Sequence, residues 1–458
     1  MNARPASEGG PGGPGRTLSP NAPRSAGDGA PGRIPASAGA SHPVWLQVGT
    51  LLDGTGGPPR RDAHVVYDGA AIRFVGEAGR TPPPGLLRPG QSAPDWRDPE
   101  ATLLPALVES HAHLFLEGGE LDLDRRAAYL KRTAGELLAA ADRRMEKLAR
   151  IGVAAVRDAG DKDGVGLALS RACREGAGGD LRPYLDSPGA AIHHRGRYGS
   201  FMGGALEDYA SPAECVAARV AAGADRIKLI PTGIINFRAG AVTTPPQMTV
   251  EELRALVAAA AAAGRQTFAH ASGDDGIERV IESGVDSVEH GFFIREDQLA
   301  RMRDRGIAWV PTFAPVQLQI EEAARYGWDE TVVGHLRRIL DAHAASLRRA
   351  HALGVTIIAG SDAGSCGVPH GHGLLRELEL MERAGLPAGA VIRSATGAPA
   401  ERLGFHQRFG RVEPGALSRF ILTRHPPLAT VANLRRARTV VFDGAVFETR
   451  EECDDDGL

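Results

Sequence analysis

Two histidines stand one residue apart at the end of an apolar run. They are His111 and His113, in the stretch "ALVESHAHLFL" at residues 106–116. Alternate residues of a strand point to the same face, so both imidazoles can reach one ion while Ala112 points away. Neutral imidazoles are ligands that suit zinc. The pair alone leaves two interpretations open: half of a metal site, or two solvated side chains where a strand leaves the core.

Three further side chains that can bind metal follow later apolar runs. His270 lies in "RQTFAHAS", His290 in "VDSVEHGFF" and Asp362 in "VTIIAGSDAG". A carboxylate at Asp362 could bind metal and accept the proton of an attacking water, or it could cap a helix. Because such residues recur at the ends of separate runs, they and the histidine pair together predict a metal site.

Lys228 lies inside another apolar run, "DRIKLIPTG". Burying an ammonium group is costly unless the group is paired or neutralised. A neutral lysine can take up carbon dioxide as a carbamate, an anionic ligand that can bridge two divalent ions. The alternative is a lysine whose head reaches the mouth of the fold or pairs with an acid, and the run alone does not decide between them.

The elements that must position these residues alternate between short apolar runs and amphipathic stretches. Eight such runs occupy roughly 260 residues in the middle of the chain, about one every 30 residues. This spacing is typical of βα units, and eight units suit a barrel whose active site lies at the carboxyl ends of its strands. A doubly wound open sheet is the second possibility, although no GxGxxG motif follows the first strand.

Both ends of the chain have a different texture, with short strand-like stretches broken by Asp-Gly turns. Examples are "AHVVYDGAAIRFVGEAG" near the start and "RTVVFDGAVFE" near the end, and the two ends could pair into one small β-sandwich. The predicted organisation is a disordered Gly/Pro-rich tail at 1–42, sandwich segments at 43–104 and 401–449, a barrel at 105–400 and an acidic tail at 450–458.

Charge and hydrophobic content argue against a nucleic-acid-binding, membrane-spanning or secreted protein. The 458 residues carry a net charge of −3 with 24% charged residues, which favours neither nucleic acid nor anionic lipid as a partner. No apolar run of about 18 residues predicts a membrane span, and no secretory signal is recognisable. The four cysteines lie far apart, which favours a reducing, cytoplasmic setting. A homo-oligomer is left open.

The ordered set "HAH", strand-end Lys228, "FAHA", "SVEHGFF", "VPTF" and "AGSDAG" resembles the amidohydrolase superfamily. The resemblance covers nearly all of residues 45–448 and is greatest to the imidazolonepropionase-like and prolidase-like metal-dependent hydrolases. It implies an α/β fold, a (β/α)8 TIM barrel with a small β-sandwich domain formed by both chain ends. Ala106, Glu109, Ser418 and Arg419 depart from the family's usual residues.

The resemblance also implies a ligand set and a reaction. His111 and His113 would bind one divalent ion, expected to be zinc, and His270 and His290 a second. Lys228, as N6-carboxylysine, would bridge the two, and Asp362 would bind the first ion and act as general base. The implied reaction is hydrolysis of an amide bond in a small molecule or peptide, such as a dipeptide or N-acyl amino acid.

Two other functions remain open. One is a cyclic-amide hydrolase of the imidazolonepropionase-like type, or a deaminase, either of which would differ in metal count or in preference for heterocycles. The other is a non-catalytic scaffold on the same barrel, which is expected to lose ligand residues. All the candidate ligands are present in this chain.

Substrate choice is expected to lie in loops that follow the strands. The stretch "AIHHRGRYGSFMGG" concentrates polar and aromatic residues, and Arg195 or Arg197 could grip a substrate carboxylate with fork geometry. A solvated loop is the alternative. Arg157 and Asp158, in "AVRDAG", could form a buried ion pair that supports the site. The predicted substrate-binding residues are His193, His194, Arg195, Arg197, Tyr198 and His370.

Overall fold

The structure is a computed structural model, and it describes residues 33–37, 42–175, 181–404 and 408–449. The predicted acidic tail and most of the predicted Gly/Pro-rich tail fall outside these ranges. Within the first range Ile34 is buried in the same apolar cluster as Val44 and Leu46, and the Ser37 N–H donates to the Gly444 carbonyl at 2.9 Å. Packed chain is therefore present ahead of the predicted boundary at residue 43.

In the part of the chain that the structure describes, the strands fall into three sheets. They are β1 (Val44–Leu51), β2 (Arg60–Tyr67), β3 (Ile72–Gly76), β4 (Trp96–Pro105), β5 (Leu107–Ala112), β6 (Val153–Asp158), β7 (Tyr184–Asp186), β8 (Ala191–His193), β9 (Gly203–Ala205), β10 (Ile227–Leu229), β11 (Thr267–Ala271), β12 (Ser287–His290), β13 (Ala308–Val310), β14 (Arg419–Thr423), β15 (Arg438–Phe442) and β16 (Ala445–Thr449).

The α-helices lie mainly between the parallel strands and after them. They are α1 (Leu123–Tyr129), α2 (Ala134–Arg150), α3 (Val165–Glu175), α4 (Pro212–Ala221), α5 (Val250–Ala262), α6 (Asp274–Ser283), α7 (Glu296–Arg305), α8 (Ala314–Glu321), α9 (Ala323–Tyr326), α10 (Glu330–Leu353), α11 (His372–Arg383), α12 (Ala388–Ser394) and α13 (Gly397–Arg402).

A seven-stranded sheet draws its strands from both ends of the chain, in the order β16-β15-β14-β4-β1-β2-β3. β14 pairs antiparallel with β4, so the C-terminal strands extend the N-terminal sheet. An apolar cluster on this sheet combines Leu46 and Val65 from the start of the chain with Phe420 and Val441 from its end. This sheet fits the prediction that the two β-rich ends form one unit.

Parallel strands form the middle of the chain. One sheet has the order β13-β12-β11-β10-β8-β9 and the other the order β5-β6-β7. Their strands are short and buried on both faces, which explains why the sequence shows continuous apolar runs in place of alternation. The α/β class is thus present, with helices connecting parallel strands.

The segment predicted as the eighth strand, "VTIIAGSDAG", is not a strand. Its bridges to neighbouring strands are isolated parallel ones, Ile357 to Trp309 and Ala363 to Ala112. Asp362 has a φ of 56°, in the left-handed region, which a continuous strand does not permit. These bridges lie beside the edges β13 and β5, and a closed eight-stranded barrel stays a prediction.

Helix ends follow the local sequence signals. Thr133 and Glu136 form a capping box at the start of α2. α10 begins after Asp329, whose side chain accepts from the Val332 N–H, and ends at Gly354 with a φ of 82°. That glycine confirms the helix end predicted from "HAASLRRAHALG". In the described ranges, the helices all fall short of the length or apolarity that crossing a bilayer requires.

Candidate metal centre

One cavity of about 410 Å³ gathers all six residues that the sequence predicts as metal ligands. β5 brings His111, and His113 comes directly after this strand. β10, β11 and β12 bring one residue each, and the segment after α10 brings the last. In register, His270 on β11 lies opposite Glu289 on β12. Strict alternation would turn the next residue, His290, to the other face, but its φ of 66° breaks the alternation where β12 ends. The lining residues in question are His111, His113, Lys228, His270, His290 and Asp362.

Three of these residues form a compact group that can hold an ion. The ligand atoms of His111, His113 and Asp362 all lie within 4.8 Å of one another. Asp362 Oδ1 is 3.7 Å from His111 Nε2 and 3.6 Å from His113 Nε2. Two imidazole nitrogens and a carboxylate oxygen are a donor set that suits zinc. The residues present therefore fit a divalent ion at this point.

The other nitrogen of each histidine in this group has a protein partner. His111 Nδ1 lies 2.6 Å from Glu289 Oε2, and His113 Nδ1 lies 3.2 Å from the Gly160 carbonyl oxygen. These contacts fix each Nδ1 as a donor, so Nε2 is left with its lone pair facing the cavity. His111 Nε2 is buried without a hydrogen-bond partner. Buried polar atoms normally have a partner, so this nitrogen is available to bind a cation.

Lys228 supplies a second buried atom without a partner. Its side chain is buried, and Nζ makes no hydrogen bond to any described residue. Nζ lies 4.7 Å from the centre of the Phe268 ring, so an apolar surface takes the place of water. Burial lowers the pKa of Lys228 to about 8, although the Glu289 carboxylate opposes this. An appreciable neutral fraction follows, and carbamate formation requires the neutral amine.

His270 and His290 lie together but do not join the three-residue group. Their ring centres are 4.6 Å apart. His290 Nδ1 lies 2.7 Å from Thr312 Oγ1, and its carbonyl accepts from Trp309 Nε1 at 2.9 Å. His270 Nε2 lies 3.3 Å from the Gly233 carbonyl oxygen. Each ring thus keeps one nitrogen available to a ligand.

Burial keeps these imidazoles neutral, which is the form that binds metal. Burial, together with the smaller effect of the Lys228 charge, lowers the pKa of His113 and of His270 to about 3. The pKa values of His111 and His290 are also well below the ordinary value, for the same reason. Burial acts in the opposite sense on Asp362, whose pKa rises to about 7.

A buried charge network that sequence reasoning missed lies behind the histidines. Glu289 is fully buried and accepts from Arg157 Nη2 at 2.7 Å and from Ser287 Oγ at 2.6 Å, besides its contact with His111. Arg157 also donates to the Ser110 carbonyl through Nε at 2.6 Å. The sequence contains a sign of this network, namely Glu289 inside the apolar run "SVEHGFF". A glutamate is rarely buried without a partner, so its position predicts a buried cation nearby.

The expected ion pair between Arg157 and Asp158 is wrong. The side chains of adjacent strand residues point to opposite faces, so the two cannot meet. Arg157 pairs with Glu289, whereas Asp158 accepts from the Leu114 N–H at 3.2 Å and from Ser187 Oγ at 2.9 Å. Asp158 therefore fastens the chain just after the histidine pair.

Glu109, one of the departures from the family's usual residues, has a definite structural role. Its carboxylate accepts from the Ser361 N–H at 3.0 Å, from Ser361 Oγ at 2.5 Å and from the His111 N–H at 3.1 Å. It therefore ties the segment that carries Asp362 to the strand that carries the histidines. These contacts hold three proposed ligands from distant parts of the chain in one place.

Among the residues predicted to bind substrate, Tyr198 lines the cavity and the other five do not. The Arg195 side chain is exposed and pairs with Asp208, and Arg197 is exposed and donates to the Pro245 carbonyl at 2.7 Å. These partners direct both guanidinium groups away from the cavity, so neither is placed to grip a substrate there.

The remaining three histidines also have partners outside the cavity. His193 Nδ1 lies 2.7 Å from the His194 carbonyl oxygen, and His194 Nδ1 lies 2.7 Å from Glu207 Oε1. His370 Nε2 lies 3.1 Å from the His113 carbonyl oxygen, so it supports the backbone of a proposed ligand. At least one ring nitrogen of each of these three histidines is thus held by a neighbouring protein oxygen.

Most of the cavity wall is apolar. The sequence predicted none of these apolar side chains individually, although Phe201 and Met202 lie in the stretch "AIHHRGRYGSFMGG". Arg126 on α1 is the cationic exception besides Lys228, and Cys366 and Gln319 add neutral polar atoms. No pattern in "LDRRAAY" marks Arg126, because it is one of several charged residues on a short, mostly exposed helix. The apolar residues include Leu116, Phe201, Met202, Phe237, Phe292 and Val316.

The sequence is similar to a known family and to individual members of it. The sequence model of the amidohydrolase family matches residues 102–446. Ochratoxinase from Aspergillus niger is 27% identical over 393 residues, 79% of this chain and 76% of that protein. An uncharacterized protein from Mycobacterium tuberculosis is 27% identical over 295 residues, 64% of this chain and 72% of that protein.

A solved structure extends the likeness to the fold. A Xaa-Pro dipeptidase with methionine bound in its active site superposes with a TM-score of 0.72 at 26% identity, covering 89% of this chain and 100% of that one. The family match spans three quarters of the sequence and includes every residue that lines the cavity. The chain belongs to the amidohydrolase family.

Proposed function

We propose that this chain is a binuclear metal-dependent amidohydrolase that cleaves the amide bond of a dipeptide or an N-acyl amino acid. One observation carries the proposal. The ligand atoms of His111, His113 and Asp362 converge within 4.8 Å, in a cavity that also holds the unpartnered ammonium group of Lys228. Membership of the amidohydrolase family supports hydrolysis of a carbon–nitrogen bond.

The proposed ligands divide into two sets. His111, His113 and Asp362 would hold the first ion, and His270 and His290 the second. Lys228, carboxylated on Nζ, would bind both. Zinc is the expected metal, because imidazole nitrogen and carboxylate oxygen are its usual donors besides thiolate. When bound, such ions polarise a carbonyl group and lower the pKa of water to about 7.

The chain's own residues would then carry the proton and fix the geometry. Asp362 would accept the proton of the attacking water and pass it to the leaving amine. Its position at a φ of 56° projects the carboxylate from a tight turn, and Glu109 holds that turn through Ser361. The surrounding apolar wall would exclude bulk water, which strengthens electrostatic interactions within the site.

Two observations support the substrate class. The similar proteins include one named as a Xaa-Pro dipeptidase and another named ochratoxinase. The cavity is large enough for a compound of dipeptide size, and its wall is mainly apolar. A dipeptide or N-acyl amino acid with an apolar group matches both features. A closed barrel over residues 105–400 remains part of this proposal.

Metal analysis and a substrate screen test the proposal together. The purified protein is analysed for metal, loaded with zinc and assayed against dipeptides, N-acyl amino acids and lactams. About two ions per chain with cleavage of linear amides is the expected result. One ion, or a preference for cyclic amides, would favour the imidazolonepropionase-like or deaminase alternative. A protein that binds no metal and cleaves nothing would contradict the proposal.

Replacement of Asp362 tests its role as general base. Asp362→Asn is expected to lower kcat about a hundred- to ten-thousandfold, because the amide cannot accept the proton. Metal content should largely survive, since the other proposed ligands remain. Asp297→Asn is the matched control, because Asp297 lies on the surface and pairs with Arg295 at 2.9 Å. Near-normal turnover of Asp362→Asn would exclude the residue as the base.

A further inference from the structure

Arg126 is a cation in a cavity wall that is otherwise mainly apolar. The cavity's charged lining, apart from the imidazoles, consists of Arg126, Lys228 and Asp362. Lys228 and Asp362 belong to the proposed metal centre, which leaves Arg126 without a role in the metal chemistry. An arginine at a largely apolar surface is a natural partner for a carboxylate, because its planar fork matches two oxygens at once.

The Arg126 guanidinium is held in place by neutral acceptors only. Nη1 donates to the Glu117 carbonyl oxygen and, at 3.5 Å, to that of Glu120, and Nη2 donates to the Gly364 carbonyl at 2.9 Å. No described carboxylate forms an ion pair with it, and Nε has no acceptor among the residues that the structure covers. The group is therefore positioned without being neutralised, and one edge of its fork is open.

The location of Arg126 connects it to the reacting centre. Gly364, whose carbonyl it binds, comes two residues after Asp362 and bridges the histidine strand through its neighbour Ala363. Arg126, His113 and Asp362 all line the same cavity. A carboxylate that bound Arg126 would thus lie near the amide bond to be cleaved.

Apolar residues at the cavity mouth indicate the rest of the ligand. Ile234 is 53% exposed and Leu130 is 39% exposed, yet both line the cavity. Deeper in the wall, Tyr198 packs edge-on against Phe201, with ring centres 5.8 Å apart. When an apolar ligand covers exposed apolar side chains around a cleft, removing their surface from water contributes favourably to the free energy of binding.

We propose that Arg126 recognises the free carboxylate of the substrate, while the apolar wall takes an aromatic or aliphatic group beside it. The substrate class is therefore N-acyl amino acids, or dipeptides with an apolar C-terminal residue, and amides without a carboxylate are poor ligands. This inference rests on the proposed function of the same site. Arg126 replaces Arg195 and Arg197, which the sequence had suggested for this role and which the fold directs elsewhere.

The alternative is that Arg126 only latches α1 onto the loop after Asp362 through backbone carbonyls. A matched pair of probes separates the two roles: N-benzoyl-L-phenylalanine, which has a carboxylate, and its carboxamide, which is neutral. Both contain the same scissile amide. KM and kcat are measured for zinc-loaded wild type, Arg126→Gln and Arg126→Lys, and the dissociation constants of both probes are measured by calorimetry.

Arg126→Gln is expected to raise KM or Kd for the acid about ten- to a hundredfold while changing the value for the carboxamide less than about twofold. Arg126→Lys keeps the charge but not the fork, so its loss for the acid should be intermediate. Arg125→Gln is the matched control, since Arg125 lies on the same helix, pairs with Glu120 at 3.4 Å and does not line the cavity. It should leave both probes unaffected.

The outcomes separate this inference from the proposed function. Equal losses for acid and carboxamide in Arg126→Gln would mean a structural latch and would overturn the inference while hydrolysis stands. If Arg125→Gln also lost the preference for the acid over the carboxamide, the preference would come from the overall positive charge of α1, and the inference would again be overturned. Selective binding of the acid without hydrolysis would support Arg126 and contradict the proposed function. Binding of neither probe to wild type would reject this substrate class.

Discussion

Glu289 contacts both the proposed ligand His111 and the buried Arg157. Replacement by glutamine removes its negative charge and nearly keeps the shape of the side chain. Oε2 accepts from His111 Nδ1 at 2.6 Å and from Arg157 Nη2 at 2.7 Å, and Oε1 accepts from Ser287 Oγ at 2.6 Å. In Glu289→Gln the amide oxygen can keep the first two contacts. The amide nitrogen then faces Ser287, which has to accept a hydrogen bond where it now donates one.

The magnitude follows from what the substitution leaves behind. Arg157 and Glu289 are 1% and 0% exposed, so loss of the negative charge leaves a buried guanidinium without its counter-charge. Breaking such a pair costs about 3–5 kcal/mol, and the hydrogen bonds that glutamine keeps favour the lower end, about 3 kcal/mol. His111 also loses the carboxylate that orients it, which should weaken metal binding about 10- to 100-fold.

Two measurements check this prediction. Denaturant unfolding of metal-free wild type and Glu289→Gln gives the loss of stability, and zinc titration gives the loss of affinity. Glu282→Gln is the control, because Glu282 forms a surface pair with Arg254 at 3.3 Å and should change stability by at most about 1 kcal/mol. If Glu289→Gln unfolded within about 1 kcal/mol of wild type and bound zinc equally well, the network would not support the site as argued.

Three further predictions concern buried groups near the cavity. Lys228→Met should raise the free energy of unfolding of the metal-free protein by about 1–3 kcal/mol, because it removes a buried ammonium without a hydrogen-bond partner, and it should abolish amide hydrolysis. Unfolding of chelator-treated protein measures the first effect and an activity assay the second. A variant less stable than wild type would contradict the prediction. Burial raises the pKa of Glu377 to about 8 from 4.5, so the folded state holds this proton longer and the free energy of unfolding should fall as pH rises between these values. Glu377→Gln should reduce that fall, and an unchanged pH profile in unfolding experiments would refute the assignment. Gly360→Ala would place a Cβ 2.8 Å from His111 Cβ. We therefore expect calorimetry to show a stability loss of about 1–3 kcal/mol, together with reduced zinc affinity. Wild-type stability and affinity would show that the neighbouring atoms can move to make room for the methyl group.

The candidate ligands could be predicted because the histidines and Asp362 come at the ends of apolar runs and Lys228 lies inside one. Period-two alternation put His111 and His113 on one face, and the structure brings their Nε2 atoms to the same carboxylate oxygen. The run around Asp362 was predicted as a strand, although its backbone turns into the left-handed region there. Apolar content indicates burial, but it cannot say whether a buried segment pairs continuously or makes single bridges.

The predicted substrate loop shows why polar residues were harder to assign. Sequence reasoning chose Arg195 and Arg197 because they cluster after a strand, yet each has a local partner that turns it away. Arg126 reaches the cavity from a short helix that is unremarkable in sequence. Which arginine faces a cavity depends on the acceptors around it, and those come from residues distant in the chain.

The sequence by itself indicated the α/β class, the β-rich texture of both chain ends and the six candidate ligands, because these follow from local periodicity and from the burial of apolar runs. Tertiary structure alone decided which charges neutralise one another, as with Glu289 and Arg157, 132 residues apart, and which remain open, as with Arg126. The physical reason is that a buried charge is stabilised by whatever lies within a few ångströms of it, and only the folded chain sets those distances.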